Sequence, residues 1–200
     1  MRLMLKTLAS VALFGALGAC SLGGLLGGGK PATSLVTLSP EVPEPAQIAR
    51  TAGVGQAVTI ATPSTAKELR TVRVPVQVNP TNVQYVANLQ LIDTPDRLFA
   101  GLLSETVRRT TNRVVLDPSQ SNLDPGVAVT GELQRFGYDA ASGQVVVQFD
   151  GSMSMAGGNG VQTRRFTATA PADGTAATVG PALNRAANQV AEQVAQWIGG

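Results

Sequence analysis

The chain has no histidine and a single cysteine, Cys20, in 200 residues. The first absence removes the side chain that most often serves as general base near neutral pH and as neutral metal ligand. The second excludes an intrachain disulfide, so a folded state must rest on its hydrophobic core, which is attainable with about 150 ordered residues in one domain. The longest apolar run, Leu8–Leu17, falls well short of the ~20 residues that a helix needs to cross a bilayer.

What is present begins at the N-terminus. Arg2 and Lys6 precede LASVALFGAL (residues 8–17), which has the length of a signal-peptide apolar region. Leu17-Gly18-Ala19-Cys20 closes it. The small residues Gly18 and Ala19 suit a peptidase pocket, and the thiol directly after them can accept a diacylglycerol through a thioether. The run resembles a bacterial lipobox. It predicts a signal peptide over 1–19 and a mature chain that starts at acylated Cys20, whereas ordinary secretion would call for an A-x-A site. Losing Arg2 and Lys6 from 15 basic residues leaves 13, against 13 acidic ones. The mature chain is then neutral overall, and binding of nucleic acid or an anionic membrane through net charge loses its support.

Residues 20–33 read as a tether, because SLGGLLGGGKPAT (21–33) is too rich in glycine to order cheaply. Residues 34–200 read as one domain. Residues 35–38 suit a short strand, and 39–55, with Pro40, Pro43 and Pro45, an irregular connection. Strands are expected at 57–61, 69–78 and 83–90; Val72, Val74, Val76 and Val78 alternate with Arg73 and Gln77, and Pro75 demands an edge or a bulge. A helix is expected from Thr94 as cap and Pro95 as first residue to about Thr111, with Leu98, Phe99, Leu102, Leu103 and Val107 in one stripe. After a brief strand at 114–116, the segments 127–136, 144–153 and 162–170 alternate, with turn chemistry at 139–143 and 157–160, and predict an antiparallel meander with Val145, Val147 and Phe149 facing one side. A last helix is expected to begin at Pro181 and end at Gly199. The fold class is therefore α+β: a two-layer sandwich of a mostly antiparallel, mixed β-sheet with two main helices on one face.

Catalysis without histidine or a free thiol would fall to carboxylates, lysines or hydroxyls. Asp93 and Asp96 flank a helix start, and Asp117, Asp124, Asp139 and Asp173 sit beside Pro, Gly or Ser, so caps and turns explain them. Ser104 has no lysine at a base-like spacing. Gly53-Val54-Gly55 lacks the further glycine and lysine of a phosphate loop. Arg164-Arg165 beside Phe166, with Arg108, Arg109 and Arg113, reads first as solvated arginines and second as a basic patch for lipid headgroups or a partner. Trp197, the only tryptophan, ends the apolar stripe of the last helix and reads first as core and second as an anchor at an interface. No catalytic residue, metal ligand or cofactor site is identified.

AVTIATP (57–63), RVPVQV (73–78), DTPDRLFAGLLSETVRRTTNRVVLD (93–117), Gly137-Tyr138-Asp139, Thr163-Arg164-Arg165-Phe166 and Ala182-Leu183-Asn184, together with the lipobox and tether, are similar to the ABC-type transport auxiliary lipoproteins, the group that includes PqiC. The resemblance implies a non-catalytic periplasmic lipoprotein serving an MCE-type lipid-trafficking system, alongside an ABC permease, its ATPase and a membrane-anchored MCE-domain protein. It carries over one site residue, Cys20, as the point of lipid attachment. Ser21 after the cysteine, in place of Asp, is the residue type associated with sorting to the outer membrane. The alternative reading is a periplasmic carrier that holds a lipid itself between sheet and helices; a hydrolase built on Ser104 ranks below both. The sequence is compatible with a homo-oligomer, including a ring around a partner.

Overall fold

The computed structural model describes residues 34–124, 126–154 and 160–199, so the expected signal peptide, Cys20, the expected tether and most of the expected 157–160 turn lie outside the described residues. The elements run β1 (Ser34–Val36), β2 (Val58–Ile60), β3 (Ser64–Thr65), β4 (Arg73–Asn79), β5 (Asn82–Leu91), α1 (Pro95–Thr110), β6 (Val115–Leu116), β7 (Val127–Asp139), β8 (Gln144–Ser154), β9 (Val161–Pro171) and α2 (Ala176–Gly199). Short stretches of 3-10 helix interrupt at Lys67–Leu69 and Pro118–Leu123.

The architecture is the expected α+β class, and the sheet is mixed. Its axis is β7. Along one edge β7 pairs antiparallel with β8 from Ala128↔Ser154 to Asp139↔Gln144, and β8 pairs antiparallel with β9 from Ser154↔Val161 to Gln144↔Pro171. This is the meander read from the alternation. The other edge of β7 carries three short strands in turn, all parallel to it: β2 at Val127 to Val129, β3 at Glu132 and Leu133, and β4 at Tyr138 and Asp139. β6 extends the sheet beyond β2, and β5 then β1 extend it beyond β4. Parallel partners need a crossover, and α1 lies on the path from β2, β3 and β4 to β7.

Several local expectations shift. Strand β4 starts at Arg73, since Leu69 instead closes the 3-10 turn and is buried. Pro75 does coincide with a register break between Arg73 and Pro75, but in a strand paired on both sides. It fits because Gly137 faces it: a Cβ at Gly137 would stand 2.4 Å from the Pro75 carbonyl oxygen. Thr94 makes no side-chain cap; the Asp93 carboxylate accepts from the Thr94 amide at 2.7 Å instead. Pro181 lies inside α2, which begins at Ala176. Asp173 makes the earlier start possible, since its Oδ1 accepts from the Thr175 amide at 2.9 Å, just before the first turn, and from the hydroxyls of Thr175 and Thr178, tying the approach to the helix to its first turn.

The core lies between one sheet face and both helices. Phe99, Leu103 and Val107 of α1 meet Leu133 and Phe136 of β7, Val145, Val147 and Phe149 of β8, Phe166 of β9 and the buried alanines of α2. Ala182, Ala186, Ala187, Ala191 and Ala195 are all buried, and their small volume sets α2 close against α1 and the sheet. Aromatic rings run through the layer from Phe99 to Phe149 (5.3 Å between centroids), to Phe166 (6.4 Å) and to Trp197 (5.4 Å).

The irregular stretch after β1 is strapped to α2. Asn188, 1% exposed, accepts from the Glu41 amide at 2.8 Å and donates to the Ser39 carbonyl at 2.9 Å. One turn earlier Asn184 accepts from the Ser39 amide at 2.8 Å and donates to the Glu41 carboxylate at 3.0 Å. Two amides four residues apart on a helix thus bind the backbone as a neighbouring strand would. Replacing Asn188 by Ala leaves the Glu41 amide and the Ser39 carbonyl without these partners, and urea denaturation of the full chain is expected to show a loss of about 2 kcal/mol.

Candidate functional site

Most of the carboxylates singled out in the sequence are committed to structure; Asp96 sits in the first turn of α1 with no side-chain partner among the described residues. Asp117 accepts from the Ser119 amide at 2.9 Å and hydroxyl at 2.6 Å, which hold its pKa below the usual carboxylate value. Asp124 is more than a turn residue: it accepts from the amides of Ala57 (2.8 Å) and Gly55 (2.6 Å), tying the entry of β2 to that of β7 and lowering its own pKa. Asp139 pairs with Arg135 at 2.8 Å, which lowers its pKa, and accepts from the amides of Ala141 and Ser142 in the hairpin turn. Asp93 faces Arg97 at 3.8 Å. Ser104 is half-buried on α1, and its neighbour Glu105 is held by Arg109 at 2.7 Å and Arg108 at 3.5 Å, chiefly the Arg109 hydrogen bond depressing its pKa. A depressed carboxylate is a poor general base. Among the described residues no group of three or more acids or cysteines is placed to hold a metal ion.

The structure divides the arginines grouped by the sequence. Arg165 lies on the outer face of β9 and grips Asp150 with two 2.6 Å contacts, a bidentate pair that lowers the Asp150 pKa. Arg109 also reaches the Val42 carbonyl at 3.0 Å and Glu44 at 3.7 Å, so it serves the strap. Arg113 and Arg164 are brought together instead. Both line a groove of about 480 Å³ where the inner face of β8 and β9 runs out from under the end of α2, with Met153, Gln162, Gln196 and Trp197. Trp197 is both core and surface: its ring packs on Phe166 while Nε1 donates to Gln162 Oε1 at 3.2 Å. A second, open groove of about 760 Å³ adjoins it, sharing Arg113 and Gln196 and reaching Thr51, Gln56 and Thr110.

Sequence reasoning passed over Met153, Gln162 and Gln196. The signal for Gln162 and Arg164 was period two: both share the face of Phe166, and only the length of α2 decides that they are left uncovered. Exposed aliphatics mark the same end of the sheet, with Val54 98%, Leu123 75% and Val161 70% exposed.

The fold is a mixed sheet backed by two helices, in which most of the carboxylates singled out in the sequence serve turns, backbone amides or ion pairs and two adjoining grooves open at the end of α2. Residues 37–195 match the family of ABC-type transport auxiliary lipoprotein components, and the chain belongs to that family. A crystal structure of a Xanthomonas campestris protein of the DUF330 family is similar in fold, with a TM-score of 0.65 at 18% identity over 84% of this chain and 92% of that one. A crystal structure of an uncharacterized protein gives a TM-score of 0.59 at 12% identity over 82% and 99%. No curated protein matches the chain. No helix among the described residues is long and apolar enough to cross a membrane.

The N-terminus of α2 offers a pH test of this assignment of Asp173 to structure. The Thr178 hydroxyl first, then the Thr175 hydroxyl and amide, pull its pKa down to about 2. Because the folded value lies below the unfolded one of about 4, the cap stabilises the fold at all higher pH and its contribution fades as pH falls from about 4 to about 2. Thermal unfolding of Asp173→Ala should therefore give a lower midpoint than the parent near neutral pH, and the gap should close over that acid window. A gap independent of pH would refute the cap.

Proposed function

We propose that this chain is the lipid-anchored, non-catalytic accessory component of an MCE-type ABC lipid transport system, fixed by acylated Cys20 to the periplasmic face of the outer membrane. The observation that carries the reading is the family match over residues 37–195 behind a Leu-Gly-Ala-Cys run ending at Cys20. In this reading residues 1–19 are removed as signal peptide, and Ser21 directs the mature lipoprotein outward. The glycine-rich residues 20–33 then act as a random-coil tether with a reach on the order of 20 Å, and the body docks an MCE-domain protein that works with a permease and an ATPase. Several buried acyl chains, at about 0.8 kcal/mol per CH₂, make detachment rare.

Docking is favoured over the carrier reading by the filled interior. Phe99, Leu103, Leu133, Phe136 and Phe166 are each at most 2% exposed and pack in one cluster with the alanines of α2, in the space where a carrier would hold acyl chains. Two measurements test the proposal. A pull-down of the full lipoprotein from mild-detergent membrane extract, read by mass spectrometry, is expected to recover an MCE-domain protein with ABC components; stoichiometric phospholipid without those partners would reverse the order of the two readings. Cys20→Ala is expected to move the protein from the membrane to the soluble periplasmic fraction and impair outer-membrane lipid homeostasis. Full function from that soluble form would defeat the anchoring role.

A further inference from the structure

The inner sheet face outruns the helix that covers it. In β9 the residues Phe166, Ala168 and Ala170 are buried, whereas Gln162 and Arg164, earlier on the same face, are exposed. Met153 lies opposite Gln162 in the β8–β9 ladder and stays 5% exposed. The last turn of α2 supplies Gln196 and Trp197, and Arg113, from the link between α1 and β6, completes the groove. Its floor is apolar: Met153, Val127 and Ile198 are all buried.

Its charge is of one sign. Arg97, Arg108, Arg109, Arg135 and Arg165 each have a carboxylate within 4.0 Å, but neither Arg113 nor Arg164 has one among the described residues. Arg164 rests over the Phe166 ring, 5.3 Å from its centre, and Arg113 reaches only the Gln56 carbonyl, at 3.5 Å. Among the described residues none that lines the groove is acidic. Guanidinium forks match phosphate oxygens bidentately, and an indole with one polar edge suits the boundary between an apolar surface and water. With no carboxylate among the described lining residues to receive an ammonium, a headgroup with net negative charge fits better than a zwitterionic one.

We propose that the groove between the end of α2 and the overhanging strands β8 and β9 binds the headgroup of an anionic phospholipid, its phosphodiester on Arg113 and Arg164 and its glycerol backbone against Trp197 and Met153. The choice of a lipid as the source of the phosphodiester rests on the lipid-transport reading above; the choice of an anion rests on the groove itself. The volume, about 480 Å³, holds a headgroup and the first carbons of the acyl chains, not a whole lipid.

Trp197 is the only tryptophan of the chain and reports directly on the groove. The full chain in a neutral maltoside detergent is titrated with short-chain dihexanoylphosphatidylglycerol while Trp197 emission is followed. A saturable change is expected, with affinity at least about tenfold weaker for dihexanoylphosphatidylcholine and for the double variant Arg113→Gln/Arg164→Gln, whose circular dichroism should match the parent because Arg164 is exposed and Arg113 only partly buried. Equal response to both lipids, or an unchanged affinity in the double variant, overturns the site. Inorganic phosphate matching phosphatidylglycerol at equal concentration overturns its assignment to a lipid. Failure of an MCE-domain protein to co-purify leaves this titration unaffected, and a flat titration leaves the co-purification unaffected, so the two readings fail separately.

Discussion

The structure depends on the two-sided pairing of β7. One edge is satisfied by β8 along its length, and the other is shared out among β2, β3 and β4, each of which meets only two or three residues of it. The first half of the domain is thereby assembled on a strand that the chain makes only after α1. Crowding along β7 is met by omitting side chains: at Gly131 a Cβ would lie 2.3 Å from the Asp150 carbonyl oxygen, as at Gly137 it would meet Pro75. A substitution at either position has backbone, not a flexible side chain, as its obstacle.

The helix α2 serves two surfaces. Inward, its alanines permit a close seat on the sheet and on α1; outward, Asn184 and Asn188 bind the backbone of Ser39 and Glu41. Arg109 of α1 adds its contact to the Val42 carbonyl. The segment that follows β1 is thus fixed by buried and half-buried polar contacts to both helices, although its prolines prevent it from joining a ladder.

Polar chemistry at the described surface is mostly paired. Asp150 with Arg165, Glu105 with Arg109 and Asp139 with Arg135 neutralise one another, and Asp117, Asp124 and Asp173 serve backbone amides. Arg113 and Arg164, like Arg50, Arg70, Arg73 and Arg185, have no carboxylate within 4.0 Å among the described residues, and these two share one groove with an indole above an apolar floor. They lie in a chain that belongs to the family of ABC-type transport auxiliary lipoprotein components.

The local sequence determined what depends on neighbours within a few residues. The stripe of α1, the alternation of β7, β8 and β9, the turn at 139–143 and the role of the aspartates as caps and turn residues were legible, because periodicity and capping are local physics. The Leu-Gly-Ala-Cys run likewise sets its expectation without any fold. Tertiary structure alone decided the rest. β2, β3 and β4 carry too few residues for their pattern to name a partner, and their parallel registry is fixed by which stretch of β7 each reaches. The start of α2 was set by Asp173 with Thr175 and Thr178, which outweighed the helix-breaking tendency of Pro181. That Arg165 is paired and Arg164 left open follows from one alternation of the strand and the point at which α2 stops, a matter of relative lengths that adjacent residues cannot encode.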